Sequence, residues 1–291
     1  MVKVLLTGAA GFLGSKLLEI LLERGYDVVA VFHVRELGVE HPRLVKIRGD
    51  LAEVELPPAD LAIHAAAMTD VDKCEVEREA CWRSNVIATR RVARRAPTIY
   101  ISTDYVFPGD RGMYREEDVP APVNYYGLTK LLGEEAVLAS GGWVVRTSGV
   151  YGVGGGKRSF PEAVVERLSR GEEVAAAADQ RYSPTYSGLL AQAVAELLEA
   201  EERPPLLHVA GPPLTRHQFA MAVAEAFGLP KELVRPIPAD QLRWTAKRPR
   251  DSSLDTTAAR RILKTPFHDL GLSLAMFKKE WEARGHAHRV G

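Results

Sequence analysis

Cysteine is almost absent from this chain: Cys74 and Cys81 are the only two in 291 residues, and no His/Cys cluster accompanies them. That argues against a zinc or disulfide framework, and the expectation is two reduced thiols in a cytoplasmic protein. Excess charge is absent too, since Lys plus Arg and Asp plus Glu both number 38. A dedicated nucleic-acid or anionic-membrane surface would leave a basic surplus, although a local basic pocket for phosphates stays open. No apolar run reaches the ~18 residues of a membrane span. The apolar start, Val2 to Leu6, is too short for a signal peptide and reads as a buried strand entering a glycine loop. Internal repeats and low-complexity tracts are missing as well.

What is present suits a soluble globular protein, with 46% hydrophobic and 26% charged residues. Strand-like runs at 2–6, 27–32, 44–47, 61–65, 98–101 and 143–146 are separated by segments of helical spacing. One such segment carries Leu13, Leu17, Leu18, Leu21 and Leu22 and stops at Gly25; another resumes near Cys81 and ends before Pro97. Strands alternating with helices predict a parallel sheet covered on both faces. After about residue 150 the character changes. A glycine-rich loop at 152–156, read as a plain surface connection, opens a proline-punctuated region. Helices are expected there near 162–169, 189–199, 217–227 and 274–283, with a strand at 206–209. The division expected is a dinucleotide-binding domain at 1–150, with returning segments near 186–210, and a smaller, discontinuous lobe over 151–291.

Thr7-Gly8-Ala9-Ala10-Gly11-Phe12-Leu13-Gly14 lies between the first strand and the first helix. Gly8 allows a tight turn, Gly11 lets the backbone approach a pyrophosphate, and Gly14 lets helix and strand pack closely. The helix start, with Phe12 and Leu13, then faces phosphates with unpaired N–H groups. The spacing is G-x-x-G-x-x-G; in its strand–helix–strand context it points to dinucleotide binding rather than an ordinary turn. The second strand ends on Phe32-His33-Val34-Arg35, without the carboxylate that usually holds the NAD ribose, Glu36 lying a little late. His33 and Arg35 could meet a 2′-phosphate, so NADP is preferred and NAD is the alternative; both residues could also be solvated loop positions. Asp50, with Leu51 beside it, is placed to bind an adenine or to form a turn. Ala65, Ala66 and Ala67 offer small side chains where a ribose–nicotinamide would pass, or where elements pack.

Ser102-Thr103-Asp104-Tyr105-Val106-Phe107 precedes Tyr126-Gly127-Leu128-Thr129-Lys130. A hydroxyl, a Tyr and a Lys four residues past the Tyr form a proton-handling set for carbonyl/alcohol chemistry. On a helix Lys130 lies one turn beyond Tyr126 on the same face. Its ammonium is expected to lower the phenol pKa from about 10, while Thr103 holds the reacting oxygen.

Together with His64-Ala65-Ala66-Ala67-Met68-Thr69-Asp70, Val145-Arg146-Thr147-Ser148, Asp179-Gln180, Pro184-Thr185 and Arg248-Pro249, these motifs resemble the dTDP-4-dehydrorhamnose reductase family of extended short-chain dehydrogenase/reductases. The resemblance spans nearly the whole chain. It implies a Rossmann-like α/β fold, a doubly wound parallel sheet with a smaller C-terminal substrate-binding lobe. It also implies reduction of the C4 keto group of a dTDP-linked 6-deoxy-hexose by NADPH or NADH. Thr103, Tyr126 and Lys130 would be catalytic; Asp104 and Tyr105 would line the sugar site, Tyr105 having a packing role as its alternative. Arg248, in a basic segment, is a candidate for the diphosphate or a solvated residue. Asp179 and Gln180 would touch substrate or order the junction of the lobes. Two departures fall at the sugar: Gly149 stands where the family commonly has a Trp, and Arg181-Tyr182-Ser183 interrupts the Asp-Gln…Pro-Thr segment. The glutamates of a metal-bridged dimer are not found, so no metal is expected, and a homodimer is left open. His286 and His288, though spaced like ligands, read as part of a tail. Other readings are an epimerase or dehydratase of the same superfamily, or a regulatory subunit resembling the methionine adenosyltransferase β subunit.

Overall fold

The computed structural model describes residues 2–154, 156 and 158–287. Strand β1 (Lys3–Thr7) is buried from its second residue onward. Helix α1 (Phe12–Glu23) turns its five leucines inward, as their three- and four-residue spacing requires. Gly25, at φ +79°, then reverses the chain into β2 (Asp27–Phe32). There follow β3 (Leu44–Arg48), β4 (Leu61–His64), α2 (Val71–Val76), α3 (Arg78–Trp82), a π-helical turn at Arg83–Ile87, α4 (Ala88–Arg95), β5 (Thr98–Thr103), α5 (Tyr125–Ala139) and β6 (Trp143–Thr147). The remainder comprises β7 (Val150–Tyr151), α6 (Phe160–Ser169), β8 (Val174–Ala177), β9 (Arg181–Tyr182), β10 (Thr185–Tyr186), α7 (Ser187–Glu199), β11 (Leu206–His208), β12 (Leu214–Thr215), α8 (Arg216–Phe227), β13 (Val234–Ile237), α9 (Thr257–Ile262) and α10 (Leu270–Ala287).

Seven strands form one sheet in the order β11-β6-β5-β4-β1-β2-β3, each neighbouring pair parallel. Alternation along the strands divides the core. Val4, Leu6, Val28 and Ala30 face α1 and α7, whereas Leu5, Val29 and Val31 face Val92 and Ala96 at the end of α4. This is the Rossmann-like doubly wound sheet that the strand–helix alternation implies. The chain order reverses between β1 and β4, and such a switch opens a crevice at the carboxyl ends of the strands. The expected strand at 206–209 joins the edge of the same sheet as β11. Short strand pairs β8–β13, β9–β12 and β7–β10 form separate two-stranded ribbons outside this sheet.

The cysteines correct one expectation. Cys74 and Cys81 are joined as a disulfide with a Cα–Cα distance of 5.1 Å, and both are fully buried. Seven residues of continuous helix would hold them about 10.5 Å apart, beyond a bridge. Glu77, at φ −101° and ψ +59°, breaks the helix between them and folds α3 back on α2. The break also shows why the helical segment starts earlier than its spacing suggests: Asp70 caps α2 by accepting from the Lys73 N–H at 3.0 Å.

Candidate functional site

A continuous cavity of about 870 Å³ runs along the carboxyl ends of the strands, from the glycine loop to the start of α8. Gly8, Gly11, Phe12, Leu13, Gly14, His33, Arg35, Asp50, Leu51, Ala65, Ala66, Ala67, Thr103, Asp104, Tyr105, Tyr126 and Lys130 all line it. Arg248 does not.

At the loop end, Gly8 has φ +71°, and a Cβ there would stand 2.7 Å from the Ala66 nitrogen. A Cβ on Gly14 would meet the Gly8 oxygen at 2.0 Å, so helix and loop touch through backbone alone. Gly11 caps α1 without a side chain, leaving the first-turn N–H groups directed at the cavity. Arg35 donates to the Ala10 carbonyl at 3.3 Å. Asp50 closes a turn by accepting from the Ala52 N–H at 2.8 Å and pairs with Arg83 at 3.1 Å. The Ala52 N–H, ahead of Arg83, holds its carboxyl below the usual range.

Beneath β4, His64 is fully buried and satisfied as a neutral ring: Nδ1 accepts from Thr7 Oγ1 at 2.6 Å, and Nε2 donates to Thr89 Oγ1 at 2.9 Å. Burial, with the Lys130 charge nearby, lowers its pKa from 6.5 to about 3.

In the middle of the cavity, Thr103 ends β5 and Tyr126 opens α5, whose N-cap Asn124 accepts from the Gly127 N–H at 2.8 Å. The Thr103 hydroxyl accepts from the Tyr105 N–H at 3.2 Å and donates to Asp104 at 3.1 Å. Asp104 also accepts from Ser148 at 2.8 Å and Ser252 at 2.5 Å. Its buried carboxyl thus braces the site from below, and burial raises its pKa to about 6 against those three hydrogen bonds. Lys130 lies one turn past Tyr126, as the spacing requires, but its Nζ donates to the Ile101 carbonyl at 2.7 Å and sits 4.0 Å from the centre of the Tyr100 ring. Burial lowers its pKa to about 7, opposed by Glu134. The expected lowering of the Tyr126 pKa is not what the structure gives. Burial raises it, Thr103 pulls the other way, and Lys130 is not among the groups that bear on it. The phenol is therefore protonated throughout the neutral range.

One further turn along α5, Glu134 pairs with Arg146 of β6 in full burial, Nη2 to Oε2 at 2.7 Å and Nε to Oε1 at 3.0 Å, and accepts from Ser102. This pair locks the helix that carries Tyr126 and Lys130 to the sheet. Its signal in the sequence was the i, i+4 spacing of Lys130 and Glu134.

At the far end stand Tyr105, Gln180, Tyr182, Arg216 and Ser252. The Tyr105 ring meets Tyr126 edge-on at 6.0 Å. Asp179 accepts from the Ala239 N–H at 2.7 Å, whereas Gln180 faces the cavity and accepts from Arg216 Nε at 2.7 Å. Arg248, the expected diphosphate residue, donates to Asp72 of α2 at 2.9 Å and stacks 5.3 Å from Trp244. The two departures at the sugar prove to be one. Gly149 has φ +48°, and a Cβ there would stand 2.4 Å from the Tyr182 ring, which fills the space of the missing side chain. The His286 side chain and all of His288 lie outside the described residues.

A family model described as the RmlD substrate binding domain matches residues 2–281. The chain belongs to that family. Within the RmlD family setting, a probable low-salt glycan biosynthesis reductase, Agl14, of Haloferax volcanii is 36% identical, covering 86% of this chain and 89% of its own. A dTDP-4-dehydrorhamnose reductase of Mycolicibacterium smegmatis is 34% identical, covering 92% and 82%. Among solved structures, a hypothetical dTDP-4-dehydrorhamnose reductase from Sulfolobus tokodaii is 40% identical with a TM-score of 0.81, covering 94% of this chain and 98% of that one. The dTDP-4-dehydrorhamnose reductase of Bacillus anthracis, in complex with NADP, is 28% identical with a TM-score of 0.83, covering 96% and 99%. Among the described residues of this RmlD-family chain, no helix is long and apolar enough to cross a membrane.

Proposed function

We propose that this chain is a nicotinamide-dependent reductase that converts the C4 ketone of a dTDP-linked 6-deoxy-4-keto-hexose to the alcohol. One observation carries the reading: a single cavity joins a phosphate-binding loop to a buried Thr–Tyr pair, with space beyond for a sugar. The named activities of the RmlD-family relatives support it. The side-chain-free contact of Gly8 with Gly14 and the uncapped start of α1 fit a dinucleotide pyrophosphate. His33 and Arg35 would meet the far ribose, NADP being preferred over NAD, and Ala65 to Ala67 would border the nicotinamide side. When bound, the reduced nicotinamide supplies hydride for the carbonyl carbon.

The residues of the chain then manage charge and proton. Thr103 Oγ1 and Tyr126 Oη hold the carbonyl oxygen between them, with Asp104 fixing the Thr103 hydroxyl. As negative charge grows on that oxygen, the Tyr126 O–H proton moves to it and completes the alcohol. A raised phenol pKa keeps that proton in place until it is needed. The raised pKa brings the phenol close to a sugar hydroxyl in acidity, so the proton passes between groups of similar basicity. Lys130, held by the Ile101 carbonyl one helical turn from Tyr126 and with a pKa lowered to about 7, exchanges its own proton near neutral pH. Residues 1–150, with returning segments near 186–210, form the cofactor half in this reading, and 151–291 mainly the sugar half. Its compartment would be the cytoplasm, argued from this chemistry and not from the cysteines.

The test is purified protein with dTDP-4-keto-6-deoxy-hexose and either NADPH or NADH, followed by loss of absorbance at the reduced nicotinamide band. Consumption is expected. No consumption with either cofactor, across several nucleotide keto-sugars, would refute the reading and leave a ligand-binding subunit in its place.

A further inference from the structure

Three arginines stand near the sugar end of the cavity, and their surroundings differ. Arg248 is paired with Asp72 at 2.9 Å, and Arg181 with Asp251 at 3.8 Å. Arg216 alone of the three lines the cavity, and among the described residues no carboxylate is paired with it. Its hydrogen-bond partner is neutral: Gln180 Oε1 accepts from Nε at 2.7 Å. Its guanidinium carbon sits 5.1 Å from the centre of the Tyr182 ring and 5.5 Å from that of Phe160. The backbone beneath is fixed by a reciprocal cap, with Thr215 Oγ1 accepting from the Gln218 N–H at 3.0 Å and Gln218 Oε1 from the Thr215 N–H at 2.8 Å.

A half-buried cation held by aromatic faces and one neutral acceptor still has guanidinium N–H groups to fork onto a carboxylate or phosphate oxyanion. It lies within electrostatic reach of Tyr105, whose ring meets the reactive phenol of Tyr126 edge-on.

We infer that Arg216 is the substrate-anion residue of this cavity: it forks onto oxyanion oxygens carried by the sugar nucleotide. The inference rests on the reading of the cavity as a sugar-nucleotide site. Two sources supply that chemistry, the diphosphate linker and a carboxylate on the sugar ring, and binding separates them. Calorimetric affinities are measured for dTDP, thymidine, glucuronate and NADPH with the wild type, Arg216→Gln and Arg216→Lys. Loss of a charged, forked contact should weaken dTDP on the order of 10- to 100-fold in Arg216→Gln, with thymidine and NADPH unchanged. Arg216→Lys should fall between, since it retains charge without the fork. If glucuronate responds and dTDP does not, Arg216 keeps its role and the anion is a ring carboxylate. Equal dTDP and glucuronate affinities in wild type and Arg216→Gln, with NADPH binding intact, would overturn the inference. Because binding is read without turnover, Arg216-dependent dTDP affinity in a protein that reduces nothing would refute only the reaction assigned above.

Discussion

Acid should destabilise this protein well before its exposed carboxylates protonate, and two buried histidines set the size of the effect. His64 and His208 are both fully buried, and burial lowers each pKa from 6.5 to about 3. His208 donates from Nδ1 to the Tyr114 carbonyl at 3.0 Å, and its Nε2 faces Arg146 Nη1 at 3.4 Å, so a proton there would meet a guanidinium. A group whose folded pKa is depressed gives stability that is full above the unfolded pKa and is lost as pH falls toward the folded one. Between pH 7.5 and 5.0 each histidine therefore removes about 2 kcal/mol, or about 4 kcal/mol for the pair. Asp104 acts in the opposite direction. Its folded pKa is raised to about 6, so acidification over the same range returns about 1.4 kcal/mol. Lys130, buried with its pKa lowered to about 7, adds about 0.8 kcal/mol of loss over the same range. The net loss is about 3.4 kcal/mol, a large share of an ordinary domain's stability. Urea unfolding at pH 7.5, 6.0 and 5.0 measures it. Asp104→Asn should steepen the loss to about 4.8 kcal/mol by deleting the offset. In a proton NMR titration, two of the eight histidine rings should stay unshifted down to pH 5. A stability profile that is flat between pH 7.5 and 5.0, or eight rings that all titrate near 6.5, would refute the reasoning.

Tyr126→Phe should lower turnover by about 10²- to 10⁴-fold while the NADPH dissociation constant holds, checked by steady-state kinetics and fluorescence titration; full activity would remove the phenol from the reaction. Glu134→Gln leaves Arg146 buried without its counter-charge and should destabilise by about 3–5 kcal/mol in urea unfolding. Closing the short loop between Cys74 and Cys81 is worth about 2.5 kcal/mol by loop entropy, so a thiol reductant should lower the melting temperature of the wild type and leave Cys74→Ala/Cys81→Ala unaffected.

Local signals carried much of this molecule. Thr7 to Gly14 sits in one strand–turn–helix unit, so its geometry was legible from eight consecutive letters. The placement of Thr103 at the end of β5 and of Tyr126 in the first turn of α5 was legible because a Tyr with a Lys four residues on presupposes a helix. What escaped depends on distant chain. Glu134 of α5 meets Arg146 of the interior strand β6, and Arg248 meets Asp72 from 176 positions away. The disulfide depends on one broken helical turn at Glu77, which no periodicity marks. Arg216 lies just ahead of the helix expected at 217–227 and no motif singles it out; only the fold shows it at the cavity, held by Gln180. Lys130 was placed on the right face, yet its ammonium is drawn to the Ile101 carbonyl.

The seating of Tyr182 against Gly149 works as a ratchet. Position 149 has a left-handed backbone and a filled neighbour, so any side chain added there must overcome both at once. Tyr182 cannot swing aside cheaply, being buried and stacked on Arg216. Restoring an aromatic at 149 is thus closed to a single substitution and opens only once Tyr182 has been reduced. The two positions are one packing unit and must be rewritten together.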